Sequence, residues 1–299
     1  MKYFLVFVTF VVSLSANAAV TEWVDLTLER GHVYLPVSVE GVETKAMLDS
    51  GSSVHAINKA FVNKNELDLA SGGKMLIKGV HSTARRSTYN NVKVNLFGAD
   101  FTLNDVVEFS MGHHSRGLLL GATFFHPFVM QIDYPANKIR LLTRDSVDMN
   151  KAANVNSAAD KEHGMPIAQI EINGQPLWFL VDTGNSGGIF MERRYASMAG
   201  LFESVEGEGY SSGVNSSGIQ EVATAKTVQF GPFEISDVKV RFPAPGETTN
   251  LESQYSTTST RIKGKRIAGI LGYGLFKDFL LTIDYQTGKI HVALPPDES

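Results

Sequence analysis

Phe179-Leu180-Val181-Asp182-Thr183-Gly184 decides how this chain is read, because Ala46-Met47-Leu48-Asp49-Ser50-Gly51 repeats its pattern 133 positions upstream, 182 − 49. In each copy an apolar strand ends in an aspartate, followed by a hydroxyl and a glycine that lets other backbone come close. Two such strands can bring two carboxylates face to face. A pair of that kind shares one proton and can activate a water against an amide carbonyl.

The repeat extends outward from these stretches. Val33, Leu35, Val37 and Val39 alternate with Tyr34, Pro36 and Ser38, the pattern of a strand, and Pro36 suggests a place at a sheet edge. Gly41 then turns the chain into the first aspartate strand, as Gly174 does after residues 167–172, with eight residues from glycine to aspartate in both copies, 49 − 41 and 182 − 174. Short helices are expected over 57–67 and 191–201. Gly79-Val80 and Gly213-Val214 each sit in a Gly/Ser/Thr-rich turn between strand-like runs, which predicts a long hairpin in each half.

The clearest copy is the last. Residues 118–139 align without a gap onto 269–290 at a constant offset of 151, 272 − 121, and Leu120, Gly121, Phe125, Phe128, Ile132, Asp133, Tyr134, Lys138 and Ile139 all meet an identical residue. Unrelated segments would share about one or two. Two copies are too few for a solenoid and the right size for two lobes related by a pseudo-twofold axis. Strand-like runs between turn residues dominate both copies, so the predicted class is mostly β in two lobes, with a signal peptide at 1–18, an N-terminal lobe at 19–144, a polar linker at 145–163 and a C-terminal lobe at 164–299.

Composition narrows the partners. The net charge of −4, without a strong Lys/Arg cluster, leaves no footprint for nucleic acid, and Arg85-Arg86 and Arg193-Arg194 are expected to be solvated. Lys2, the apolar run 3–14 and Ala16-Asn17-Ala18 fit an export signal with small-x-small cleavage, and the run is short for a membrane span. The absence of cysteine rules out a disulfide framework and a thiolate nucleophile. The expectation is an exported protein, periplasmic or secreted, with no stable membrane anchor once the signal is cleaved.

Other chemistry competes with this pair. Gly184-Asn185-Ser186-Gly187-Gly188 and Gly209-Tyr210-Ser211-Ser212-Gly213 fit Gly-x-Ser-x-Gly, with His291 following, but that motif needs a strand-to-helix elbow in a parallel α/β sheet. His113-His114 could suggest a metal, yet a solvated loop accounts for them. Asp133-Tyr134 and Asp284-Tyr285 form another repeated pair and read as structural hairpins.

The motifs Leu48-Asp49-Ser50-Gly51-Ser52, Val181-Asp182-Thr183-Gly184-Asn185, Leu119-Leu120-Gly121 and Ile270-Leu271-Gly272 resemble those of the pepsin and retropepsin aspartic proteases. The resemblance covers almost all of the mature chain and is nearest to two fused retropepsin-type units. It implies an all-β, bilobed acid-protease fold with Asp49 and Asp182 as catalytic residues on the floor of an interlobe cleft. It implies Ser50, Gly51, Ser52, Thr183 and Gly184 as support for the dyad, and Gly121 and Gly272 as close-packing positions. A flap would lie around residues 79–83, with Gly79 and Val80 meeting substrate and Gly213 and Val214 as their counterparts. Neither metal nor cofactor is implied. Pepsin-like chains tend to carry a hydroxyl after each Asp-Thr-Gly; Ser52 supplies one here and Asn185 replaces the other. Tyr89 lies in the region of a flap tyrosine without its glycine neighbours.

The function expected from sequence is an aspartic endopeptidase acting on peptide or unfolded, extended protein, with one chain sufficient for the site. A non-catalytic peptide-binding protein on the same fold is the alternative, and a serine hydrolase using Ser186 a distant third.

Overall fold

The computed structural model describes residues 20–78, 83–159, 165–212, 217–247, 261–262 and 265–295. The predicted signal peptide and the positions Gly79, Val80, Gly213 and Val214 lie outside the described residues.

The fold is all-β and bilobed, built around two copies of one strand arrangement. In the first lobe His32–Val39 turns at Glu40-Gly41 into Val42–Asp49. In the second, Pro166–Ile172 turns at Asn173-Gly174 into Gln175–Val181. Both turns have two consecutive positive φ angles, +51° and +79° in one, +50° and +79° in the other. That is the backbone of a two-residue hairpin whose twist matches its strands, and it is why glycine stands second in each.

The aspartate strand of each lobe then gains a parallel neighbour from far along the chain. Val42–Asp49 pairs with Arg116–Gly121, bringing Gly121 opposite Asp49. Gln175–Val181 pairs with Lys265–Leu271, bringing Leu271 opposite Val181. Strands in this setting are covered on both faces, which explains the unbroken runs Leu118-Leu119-Leu120 and Ala268-Gly269-Ile270-Leu271, all buried. Each run is also flanked on its other side by a short antiparallel strand, Ala56–Asn58 in one lobe and Ile189–Met191 in the other. The expected helices follow those strands as Lys59–Lys64 and Arg193–Met198.

A five-stranded antiparallel sheet joins the lobes, in the order Val24–Asp25, Lys138–Leu142, Val129–Asp133, Leu280–Asp284, Lys289–Ala293. Its central pair is a strand and that strand's own copy, with Gln131 opposite Thr282. One apolar core runs through both lobes and this sheet.

Several expectations change. Pro36 lies in an internal strand rather than at an edge: Thr27–Glu29 pairs with His32 to Tyr34, Val92–Leu96 pairs with Ser38 and Val39, and the proline falls between them. Its missing N–H is tolerated because neither neighbour reaches it. Of the polar stretch 145–163, the described part is structured, with a one-turn helix at Met149–Ala152 and a strand, Ser157–Ala159, that pairs with Pro166–Ile172. Arg193 and Arg194 are not merely solvated: Arg193 pairs with Glu221 at 2.5 Å and lies over Phe202, and Arg194 pairs with Glu192 at 2.9 Å. His113 and His114 do sit in an exposed turn, with their rings 4.0 Å apart.

Candidate active site

Each aspartate ends its strand in the same turn. The Gly51 N–H donates to the Asp49 carboxylate at 3.1 Å, and the Gly184 N–H to that of Asp182 at 2.8 Å. Ser52 N–H and Asn185 N–H close the turns by donating to the main-chain carbonyls of Asp49 and Asp182, at 3.2 and 3.1 Å. The chain direction is thus set by backbone bonds, and the carboxyls are left pointing across the junction.

There they meet. The carboxyls of Asp49 and Asp182 come close enough for each to act on the other's ionisation. A Cβ placed on Gly51 would lie 2.5 Å from the Asp182 carboxyl carbon, and one on Gly184 would lie 2.5 Å from that of Asp49. Both glycines are required by close approach, since any side chain would push the carboxyls apart.

The loops are clamped by a cross-lobe exchange. Ser50 Oγ donates to the Val181 carbonyl at 2.7 Å and accepts the Thr183 N–H at 2.9 Å. Thr183 Oγ1 donates to the Leu48 carbonyl at 3.2 Å and accepts the Ser50 N–H at 3.1 Å. All four bonds are buried, where a donor left without its partner costs about 1 to 3 kcal/mol. The two lobes therefore hold one geometry at this point.

Electrostatics follow from that geometry. Burial lifts the Asp49 carboxyl well above the usual carboxylate range, and the neighbouring Asp182 charge lifts it further. Burial also raises Asp182, although the N–H of Gly184 and other donors work against the rise. Two carboxyls this close cannot both ionise cheaply, and a pair coupled in this way titrates as a unit.

Ser52 departs from expectation. Its hydroxyl donates to the Val54 carbonyl at 2.8 Å rather than to Asp49, and Asn185 is likewise spent locally, accepting the Gly187 N–H at 3.0 Å. Ser52 serves Asp49 through its backbone N–H, which favours the ionised carboxyl, and not through its side chain. Gly121 and Gly272 take the close-packing places: a Cβ would lie 2.4 Å from the Val54 carbonyl oxygen at one and 2.3 Å from that of Asn185 at the other.

The pair Asp133-Tyr134 and Asp284-Tyr285 splits into two jobs. Asp284 caps its hairpin by accepting the Gln286 N–H at 3.0 Å and the Thr287 hydroxyl at 2.6 Å, and it pairs with Arg144 at 3.1 Å. The tyrosines instead turn inward. Tyr285 packs tilted against Phe125 at 5.5 Å and Tyr134 stacks on Phe276 at 6.2 Å, so each lobe's tyrosine meets the other lobe's phenylalanine. Both hydroxyls are buried without a hydrogen bond of ordinary geometry; burial chiefly disfavours their ionisation and Asp182 adds to it, while Ser50 lies close enough to the Tyr285 hydroxyl to work against the rise there. Sequence reasoning missed this layer; the signal was the identity of Tyr134 and Tyr285 within the repeat, which hairpin capping does not need.

The remaining candidates fall elsewhere. Tyr89 donates to Glu108 at 2.7 Å, a bond that, with burial, pushes its own pKa up to about 12. Ser186 follows a strand that runs into a turn and then the strand Ile189–Met191, so the helix of a nucleophile elbow is absent there. His291 is engaged with the Ala152 carbonyl at 2.6 Å. Ser211 lies within the strand Val205–Ser212. Among the described residues no cluster of three metal-ligating side chains occurs. The strands framing the expected flap positions pair up to Lys78 opposite Thr83 in one lobe and Ser212 opposite Ser217 in the other.

The architecture is that of a duplicated acid-protease fold with paired Asp-[Ser/Thr]-Gly turns. Residues 35–124 and 168–275 match the aspartyl protease family, and the chain belongs to that family. No curated protein matches the chain.

Proposed function

We propose that the protein is an aspartic endopeptidase in which Asp49 and Asp182 activate a water between them. The observation that carries the reading is the approach of the two carboxyls beneath the Ser50 and Thr183 clamp. With one proton in the pair, the ionised carboxyl acts as general base toward the water, which attacks the scissile carbonyl, while the protonated carboxyl supplies a proton to the carbonyl oxygen. The resulting tetrahedral species collapses with protonation of the amine that leaves. One chain supplies both acids.

Substrate in extended form is supported by the sheet edges. Ala70–Lys78 ends the sheet of the first lobe and Val205–Ser212 ends the path of the second. Each leaves main-chain groups on which an added peptide strand can pair. The N-terminal 18 residues support export to the periplasm or beyond.

Digestion of a mixed peptide library by the wild type, D49N and D182N tests the proposal. Cleavage by the wild type that disappears in both variants is the expected outcome. Peptide binding without cleavage by the wild type would replace it with the binding-protein reading.

A further inference from the structure

The halves differ in how they hold the strand behind each aspartate. In the second lobe the Gly272 N–H donates to a main-chain carbonyl, that of Gly188, at 2.8 Å. In the first, the corresponding Gly121 N–H donates to the imidazole Nδ1 of His55 at 3.2 Å. The 133-residue offset carries His55 onto Gly188, so a side chain in one lobe does what the main chain does in the other. Gly121 stands opposite Asp49 in the parallel pairing, one strand away from the carboxyl.

We propose that His55 is a positioning residue for Asp49, holding Gly121 through an unprotonated Nδ1 and making the first lobe the acid-labile half of the site. The tautomer follows from the contacts. Nδ1 accepts a backbone N–H, so the ring proton sits on Nε2, 3.2 Å from Thr123 Oγ1, to which it donates. Protonation at Nδ1 sets two donors against each other and breaks the hold on Gly121. The ring lies edge-on to Phe124 at 6.4 Å and meets Thr123 and Gly121, and no charged group acts on it. Burial alone disfavours the imidazolium, lowering the pKa to about 4. A carbonyl such as that of Gly188 has no proton to gain in this range.

The inference rests on the peptidase reading for its effect on rate, so the test includes a readout independent of cleavage. Wild type, H55N and H55L are titrated from about pH 7 to about pH 3, bracketing the ordinary and lowered histidine values, while the Gly121 amide is followed by NMR and kcat/KM is measured on a cleaved peptide. In the wild type the amide signal steps with a midpoint of about 4. In H55N, whose amide oxygen accepts without titrating, that step is absent although the carboxyl pair remains. H55L, which leaves the Gly121 N–H without an acceptor, loses roughly ten-fold in kcat with little change in KM. A Gly121 signal that is flat in the wild type, or steps equally in H55N, overturns the inference. Should no peptide be cleaved by any form, the NMR step alone decides the part played by His55, and the endopeptidase reading falls separately. If H55L does not fold, the comparison of wild type with H55N decides the outcome by itself.

Discussion

Gln131 donates to the hydroxyl of Thr282 at 2.9 Å, and the two residues hold the same place in the two halves, 151 positions apart. A residue that meets its own copy lies on the pseudo-twofold axis. Ser50 and Thr183, at the other repeat offset of 133, meet in the same manner. The axis therefore runs from the interlobe sheet up to the carboxyl pair, and the contacts along it decide how firmly the lobes hold that pair.

The clamp should behave as one unit in stability. S50A removes the donor to Val181 and leaves the Thr183 N–H buried without an acceptor, for a loss of about 1 to 3 kcal/mol. T183A should cost a similar amount. Because both act in one network, the double variant should lose clearly less than the sum. Equilibrium denaturation of the three variants measures this, and full additivity would show the two halves of the clamp to be independent.

The buried tyrosines make an opposite prediction. Tyr285 and Tyr134 bury a hydroxyl without an ordinary hydrogen bond while their rings pack across the axis. Y134F keeps the ring and discards the hydroxyl, so it should be neutral or stabilising by up to about 1 kcal/mol, and Y285F, whose hydroxyl lies beside Ser50, should gain less. Thermal unfolding reads the change. A loss beyond about 2 kcal/mol would show the hydroxyl to be partnered.

The carboxyl pair should cost stability at neutral pH. Both carboxyls are raised by burial, so the folded state holds a proton that the unfolded chain, near 3.8, has released. The pair's contribution to stability therefore grows as pH falls from the raised value toward 3.8 and is smallest above that window. D49N removes one of the two competing charges and should stabilise the protein at pH 7, by roughly 1 to 3 kcal/mol, with the gain shrinking on acidification. Taking the difference between D49N and the wild type at each pH cancels the contribution of His55, which has the opposite sign because its lowered pKa makes acid destabilising. A gain that is the same at every pH would contradict the shared proton.

Ser52 provides a negative prediction. Its hydroxyl is bound to Val54, not Asp49, so S52A should leave the pH profile of kcat/KM in place within about 0.3 units. A shift approaching one unit would mean that the hydroxyl reaches the carboxyl during turnover.

The repeat made most of the architecture legible. Apolar runs ending in Asp-[Ser/Thr]-Gly, glycines at matched distances and nine identities at one offset were enough for two lobes of the right class. What escaped depended on pairing between distant segments. Pro36 looked like an edge residue because its tolerance rests on a gap between two neighbours that only the folded sheet displays. Ser52 looked like a carboxyl partner because sequence gives a hydroxyl's position and not its direction. Tyr134, Tyr285 and His55 were hidden for a related reason: each acts on the opposite lobe or on a strand some 66 residues away, with no local pattern to mark it.

Asp49 and Asp182 should work as a single acid–base unit, and the most direct measurement is kcat for one cleaved peptide with the wild type, D49N, D182N and D49N/D182N. Each single variant should lose about a thousand-fold or more, and the double should lose little beyond either single, as for groups that act together. A single variant that retains most of the wild-type rate, or losses that multiply in the double, would contradict it.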